Sequence, residues 1–285
     1  MLEALAVGLI PGSAYAMIAV SILLTYRMLG VLDFSQTTVG AFGTYAGLAC
    51  LGMGVPDILA AGIGVVCGMA LSTIVGLIMV RWFAEARIEI KSSVTIAVML
   101  ALIAIAFRVF GNEQRPLTNI FPPVNFAFAG VHFTVATLAG LAFALAIGSG
   151  LALVLRMTRL GILLRALSQR PTTAELLGVP VRVLAVAVWA VAGGIATVAI
   201  TLVAPNRTTN FVALSTLLLP GMAGALLGLF RSVPRTIAGG ILIGLLEGGS
   251  SYFAWIAPYR DAISFVVILF VLLWSQRRET WDEAR

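Results

Sequence analysis

Asp57-Ile58-Leu59-Ala60-Ala61-Gly62-Ile63-Gly64-Val65-Val66-Cys67-Gly68-Met69-Ala70-Leu71-Ser72-Thr73-Ile74-Val75-Gly76-Leu77-Ile78-Met79-Val80-Arg81-Trp82-Phe83 decides the fold. Between Asp57 and Arg81 stand 23 residues without a charge. A helix rises about 1.5 Å per residue, so about 20 residues cross a hydrocarbon core about 30 Å thick. The stretch is long enough to span a bilayer. Eight further apolar segments accompany it, giving 4–26, 35–53, 57–83, 93–110, 132–156, 181–204, 211–230, 235–256 and 259–275. Of the 285 residues, 60% are hydrophobic and 11% charged, with a mean hydropathy of +1.06. Soluble domains carry about 25% charged residues. The reading is an all-α, polytopic transmembrane bundle of about 8–9 helices, one membrane domain over 1–285.

Segment 211–230 is the weakest. Pro220, Gly221, Gly224 and Gly228 suggest a broken or re-entrant helix, which is tolerated only inside protein or beside a cavity. The basic residues set the orientation. With the N-terminus outside and the C-terminus cytoplasmic, fourteen basic residues fall on the inner side and four, Arg108, Arg115, Arg207 and Arg260, on the outer side. The net charge of +6 therefore reads as topology rather than nucleic-acid binding. Glu3 and the absence of a basic residue before Arg27 argue against a cleavable signal. The mixed-charge tail 275–285 reads as a solvated cytoplasmic end.

Two loops stand out. The outer one, 111–131, carries Pro116, Pro122 and Pro123. The inner one, 157–180, is the longest polar inner stretch. In it Leu160, Leu163, Leu164 and Leu167 repeat at i, i+3, i+4, i+7, the pattern of an amphipathic helix. A second short helix is expected after Pro171, capped by Thr172 or Thr173 and ended at Gly178. The pair either lies on lipid headgroups or forms a docking knob for a soluble partner.

This loop resembles the coupling segment of permeases in the branched-chain amino acid ABC importer family. The family's R-x-G-x-x-x-R-A pattern is met by Arg159, Gly161, Arg165 and Ala166, and its A-x-x-x-G element by Ala174 and Gly178. Gly12-Ser13-Ala14-Tyr15-Ala16-Met17-Ile18-Ala19 resembles the G-x-x-Y-A-L-x-A opening of the family. Gly30-Val31-Leu32-Asp33-Phe34-Ser35-Gln36 resembles its G-V-x-N-F-A-H-G turn, with Asp33 in place of asparagine and Ser35-Gln36-Thr37 in place of Ala-His-Gly. Gly239 to Glu247 resembles its glycine-rich helix ending in L-L-E, although Leu229 to Pro234 departs from the preceding G-S-x-P-G turn.

The resemblance implies a bacterial inner-membrane importer subunit that binds no cofactor itself. Its implied partners are a second permease, identical or paralogous, two ATP-binding subunits using ATP and magnesium at the cytoplasmic face, and an extracytoplasmic solute-binding protein. Surrounding lipid completes the set, with no nucleic acid. The coupling residues carried over are Arg159, Gly161, Arg165, Ala166, Ala174, Glu175, Leu176 and Gly178. Tyr15, Asp33, Phe34, Gln36 and Glu247 are candidates for the translocation path or its gating. The solute is expected to be small and polar: a branched-chain or other amino acid, urea or a short amide.

Each of these also has a local reading. Asp33 and Gln36 have the spacing of a capping box. Gly240, Gly244 and Gly248 share a face and let another helix approach closely. Glu247 lies about 18 Å along its helix, a costly depth for a carboxylate that faces either protein or a functional path. His132 stands alone, so neither a histidine metal site nor a Ser–His triad is available. Cys50 and Cys67 read as packed thiols. Asn206-Arg207-Thr208 matches a glycosylation sequon. Lys91 precedes Ser92, but Ile90 stands where a P-loop requires glycine. The chain is expected to be non-catalytic. The alternative is a self-sufficient gradient-driven transporter or channel using Glu247 and Asp33.

Overall fold

The computed structural model describes residues 2–111, 125–128, 131–206, 210–253 and 255–282. The helices are α1 (Leu2–Leu29), α2 (Gln36–Gly52), α3 (Asp57–Trp82), α4 (Ile88–Phe110), α5 (Val135–Met157), α6 (Arg159–Gln169), α7 (Pro171–Leu176), α8 (Val181–Val203), α9 (Phe211–Ser215), α10 (Leu218–Leu227), α11 (Val233–Ser250) and α12 (Ile263–Asp282). Strands β1 (Asn125–Phe128) and β2 (Val131–Thr134) form an antiparallel hairpin before α5. The chain is a polytopic helical bundle.

Among the described residues, six stretches are long and apolar enough to cross a membrane, in α1, α3, α4, α5, α8 and at Ala257–Trp274. The other three expected segments became α2, the α9–α10 pair and α11, which are shorter or more polar. Helices enclosed by other helices need not be apolar all round, because protein rather than lipid meets their surface. Most of α1 and α8 is buried, whereas α3, α4, α5 and Ala257–Trp274 expose most of their length. The bundle is therefore wrapped around α1 and α8, with α2, α10 and α11 inside.

Glycine permits the closest contacts. A Cβ added at Gly244 would strike Gly12 of α1, and one added at Gly240 would strike Ala16. Gly8 faces Gly244 and Gly248. The pairing makes α1 and α11 antiparallel at backbone contact, the reading given to Gly240, Gly244 and Gly248. Dispersion between closely packed backbones is the main attraction available within a bilayer.

Several boundaries differ from expectation. Segment 211–230 is broken at Thr216-Leu217 into α9, capped by the Asn210 side chain accepting from Ala213 N, and α10. Segment 132–156 begins as strand, and its helix starts after Thr134, whose side chain accepts from Thr137 N. Segment 235–256 stops at Ser250, and 259–275 opens with a 3-10 turn, Ala257–Ala262. The backbone of α12 stays helical to Asp282, where a solvated tail was expected; its side chains beyond Trp274 lie outside the described residues, as do most of the proline-rich outer loop and Arg207-Thr208 of the sequon. Cys67 is exposed on α3 and Cys50 half-buried, so the packed-thiol expectation fails for Cys67: its position falls on the outward face of a peripheral helix.

Candidate functional site

Three groups of sequence-singled residues acquire a geometry. The first is the pair Tyr15 and Glu247. Tyr15 Oη donates to Glu247 Oε2 at 2.6 Å. Tyr15 is fully buried and Glu247 is 6% exposed. Helical side chains lean toward their own N-terminus, so residues on two antiparallel helices lean toward one another. Tyr15 lies near the middle of α1, and Glu247 about 21 Å from the start of α11. The carboxylate therefore sits deep in the bundle, fixed by a phenol 232 residues away in sequence. Ser250 Oγ donates to the Glu247 carbonyl and closes the end of α11.

The second group is the entry to α2. Asp33 was expected to form a capping box with Gln36. Instead Ser35 is the N-cap, without a side-chain cap bond, and its hydroxyl and N–H both donate to Asp33 Oδ1, at 2.6 and 2.9 Å. Asp33 turns back on the loop because its carboxylate reaches the residue two ahead more readily than the helix beyond it. Burial pushes the Asp33 carboxyl up to about 6, partly opposed by the two Ser35 hydrogen bonds. Phe34 N donates to Thr95 Oγ1, which pins the loop to α4, and the Phe34 ring packs on the main core. Gln36 is buried, and neither end of its carboxamide has a hydrogen-bond partner.

The third group is the α6–α7 pair. Thr158 caps α6 by accepting from Gly161 N. Arg165 Nη1 donates to Leu155 O at 2.6 Å and ties α6 to the end of α5. A Cβ at Gly161 would strike the Leu155 and Val154 carbonyls, so only glycine allows this tight joint. Leu163, Leu164 and Leu167 pack with Leu29, Val80, Leu184 and Ala185 from the ends of α1, α3 and α8. The leucine face thus lies on protein rather than on headgroups. Leu160, the fourth of the expected stripe, points outward. Helix α7 begins at Pro171 behind Arg170, without a threonine cap, because proline itself suits a first helical position. It ends at Leu176, two residues before Gly178, whose φ of 84° turns the chain. Ala174 is buried under the pair, and Ala166 is half-buried. Arg159 and Glu175 are exposed, and Glu175 lies 4.0 Å from Arg182, an exposed contact of little energetic weight. Leu176 and Leu177 stand out at 84% and 80% exposure.

Two features escaped the sequence. Phe42 and Tyr45 of α2, Phe110 of α4 and Phe211 of α9 have ring centroids 5.1–6.5 Å apart and close the bundle toward the end opposite α6 and α7. The rings come from three separated segments, and no spacing announces their meeting. Leu229 and Phe230 both have φ of 50°, left-handed without being glycine. The Phe230 ring lies 4.6 Å from that of Tyr26, and Arg27 Nη1 donates to Arg231 O, which hold this turn against the end of α1. The departure from a glycine-rich turn was the available signal.

A multi-pass bundle with deeply buried polar groups and a leucine-tipped helical knob at one end has the form of a membrane transport subunit. The sequence model of the family described as "Branched-chain amino acid transport system / permease component" matches residues 4–272, and the chain belongs to that family. It is 25% identical over 288 residues to the probable branched-chain amino acid transport permease protein LivH of Methanocaldococcus jannaschii, covering 93% of this chain and 88% of that protein. It is likewise 25% identical over 291 residues to the high-affinity branched-chain amino acid transport system permease protein LivH of Escherichia coli, covering 93% and 91%. A looser structural likeness joins it to PsaBC from Streptococcus pneumoniae in complex with Fab, with a TM-score of 0.48, 14% identity, and 94% and 89% of the two chains covered.

Proposed function

We propose that the chain is the translocating subunit of a bacterial inner-membrane ABC importer for a small polar solute, an amino acid, urea or a short amide. It works with a second permease, two ATPases that use ATP and magnesium, and an extracytoplasmic binding protein, and catalyses no reaction itself. The N-terminus and the hairpin lie outside, and α6, α7 and the C-terminus lie in the cytoplasm.

The observation that carries this reading is the exposed Leu176-Leu177 tip on a fastened base. Two adjacent leucines in water are costly, by about 2 kcal/mol each relative to full burial, and a partner's groove removes that cost. The base reaches three helices, because the α6 leucines pack on the ends of α1, α3 and α8. Arg165 adds the link to α5. A displacement of the tip by closing ATPases is thereby passed to the helices that bear the buried polar groups. The bundle then alternates between two states biased by its ligands.

The test is co-purification in mild detergent with the candidate ATPases. Leu176→Asp with Leu177→Asp leaves the Gly178 backbone alone and charges the tip. Wild type is expected to retain the ATPases and the folded double variant to lose them. If correctly matched ATPases never bind wild type, the importer reading fails. Gradient-driven uptake by the purified chain through Glu247 and Asp33 would then take its place.

A further inference from the structure

The turn between α10 and α11 is held in a conformation that its own residues disfavour. Leu229 N donates to Leu226 O at 2.7 Å, and Phe230 N to Ala225 O at 3.1 Å. These are the two bonds of a Schellman ending, with Gly228 as the cap of α10. Such an ending puts the residue after the cap in the left-handed region, a place usually taken by glycine. Here Leu229 fills it and Phe230 follows in the same region, both with φ of 50°. A Cβ in that region crowds the carbonyl that follows it, so residues other than glycine visit it rarely and singly. Gly228 stands one residue too early to help, at φ of −77°.

A second cost lies beneath the turn. A Cβ added at Gly228 would strike the Thr236 hydroxyl, so the turn lies directly on the start of α11. Thr236 is fully buried there, and its Oγ1 has no hydrogen-bond partner among the described residues. Buried polar groups are otherwise almost always paired. Lifting the turn would relax the backbone of Leu229 and Phe230 and give the hydroxyl to water. What opposes this is contact with the last turn of α1. The Phe230 ring lies 4.6 Å from that of Tyr26 and packs on the main core. Arg27 Nη1 donates to Arg231 O at 3.3 Å. This is the end of α1 on which α6 also packs, through Leu29. With backbone strain and an orphaned hydroxyl on one side and a clasp on the other, the turn has the opposed energies of a switching element.

Helix α10 is built to move with it. It has ten residues, set between the break at Thr216-Leu217 and this turn. Helix α11, by contrast, is seated on α1 at backbone contact through Gly240 and Gly244. Freed at the turn, α10 can swing on the break while α1 and α11 stay together. We propose that the turn 228–232 is a catch: clasped on the end of α1 by Phe230 and the Arg231 carbonyl, it holds α10 in place, and its release lets α10 move as the bundle passes to its other state. This rests on the transport reading above and names one element that switches in it.

The catch is read through Thr236→Cys, in a chain with Cys50 and Cys67 replaced by alanine. The thiol at that position is shut in while the turn is down and meets water when it lifts. The chain is assembled with its permease and ATPase partners in nanodiscs. The rate at which a small cationic methanethiosulfonate reaches the thiol is followed by peptide mass, without nucleotide and with magnesium-ATP and vanadate. The two conditions are expected to differ at least tenfold. In the faster one, Leu229→Gly should slow labelling about tenfold, because glycine suits the left-handed backbone and the side chain lost is half-exposed. Phe230→Ala removes the clasp and should speed it. A merely structural turn would show Leu229→Gly in the unfolding temperature alone. The catch is overturned if labelling ignores nucleotide while the ATPases are bound, or if Leu229→Gly raises stability without slowing labelling. Failure of the ATPases to assemble counts against the importer reading instead. The labelling order without nucleotide, Leu229→Gly slowest and Phe230→Ala fastest, then still judges the catch, and any other order overturns it.

Discussion

Glu247 is held by Tyr15 at a depth where a carboxylate is costly unless a donor meets it. Tyr15→Phe removes that donor and should destabilise the protein by about 2 kcal/mol, the weight of a hydrogen bond to a charged group. Glu247→Gln keeps an acceptor for the phenol and should cost less. In a double-mutant cycle followed by denaturant unfolding in detergent, the combined change should fall short of the sum of the two. Additive losses would show that the pair is not coupled. Asp33 makes a second, pH-dependent prediction. Its folded pKa is about 6 against 3.8 for the free group, so between these values the folded state binds more protons than the unfolded one. Stability therefore falls as pH rises from 3.8 to about 6, by about 3 kcal/mol in total, and stays lower above it. Asp33→Asn should be the more stable protein at neutral pH, with its advantage gone below pH 3.8. An advantage independent of pH would sink this account. Glu247 was visible in the sequence as a costly carboxylate and Asp33 as half of a capping box, but neither hydrogen-bond partner was. Tyr15 and Ser35 are selected by how the chain bends and packs, not by spacing.

At the scale of elements, α1 and α11 meet through glycine, and the α6–α7 pair stands on a glycine joint. Gly244→Leu drives a side chain into Gly12 and the Gly8 carbonyl, where backbone cannot yield. A loss of about 3 kcal/mol or more is expected, seen as aggregation or a lowered unfolding midpoint. Retention of wild-type stability would mean that the two helices are not in backbone contact. The period-four glycines of α11 imply that some helix comes close. They did not say which one, because the partner lies more than 200 residues away and nothing local encodes it. The amphipathic period likewise gave α6, but could not separate headgroups from protein as the cover of its leucine face. That choice is made by Leu29, Val80 and Leu184 meeting it.

For the whole molecule, the proposed direction across the membrane rests on the excess of arginines expected on the inner side. In a chain with Cys50 and Cys67 replaced by alanine, Glu3→Cys should react with an impermeant maleimide added to spheroplasts, and Leu176→Cys only after lysis. The reverse pattern would overturn the proposed orientation and, with it, the proposal that α6 and α7 meet ATPases in the cytoplasm. The same scale explains why, among the described residues, six rather than nine stretches have the length and apolarity of membrane spans. Once α1 and α8 are enclosed, α2, α10 and α11 pack against protein, and their composition follows that contact.

What the sequence determined by itself is the solvent and the class. A run such as Ile58 to Val80 has no stable place in water, and apolar length, arginine bias and the order of short motifs are additive, local quantities that survive without a fold. The tertiary structure alone decided that Glu247 belongs with Tyr15, that α2 opens in the interior with Gln36 unpaired, and that Leu176 and Leu177 stand clear of the bundle. Those are facts about which distant surfaces meet. Hydrogen bonds and burial act over a few ångströms, so they are defined only once the helices have been brought together.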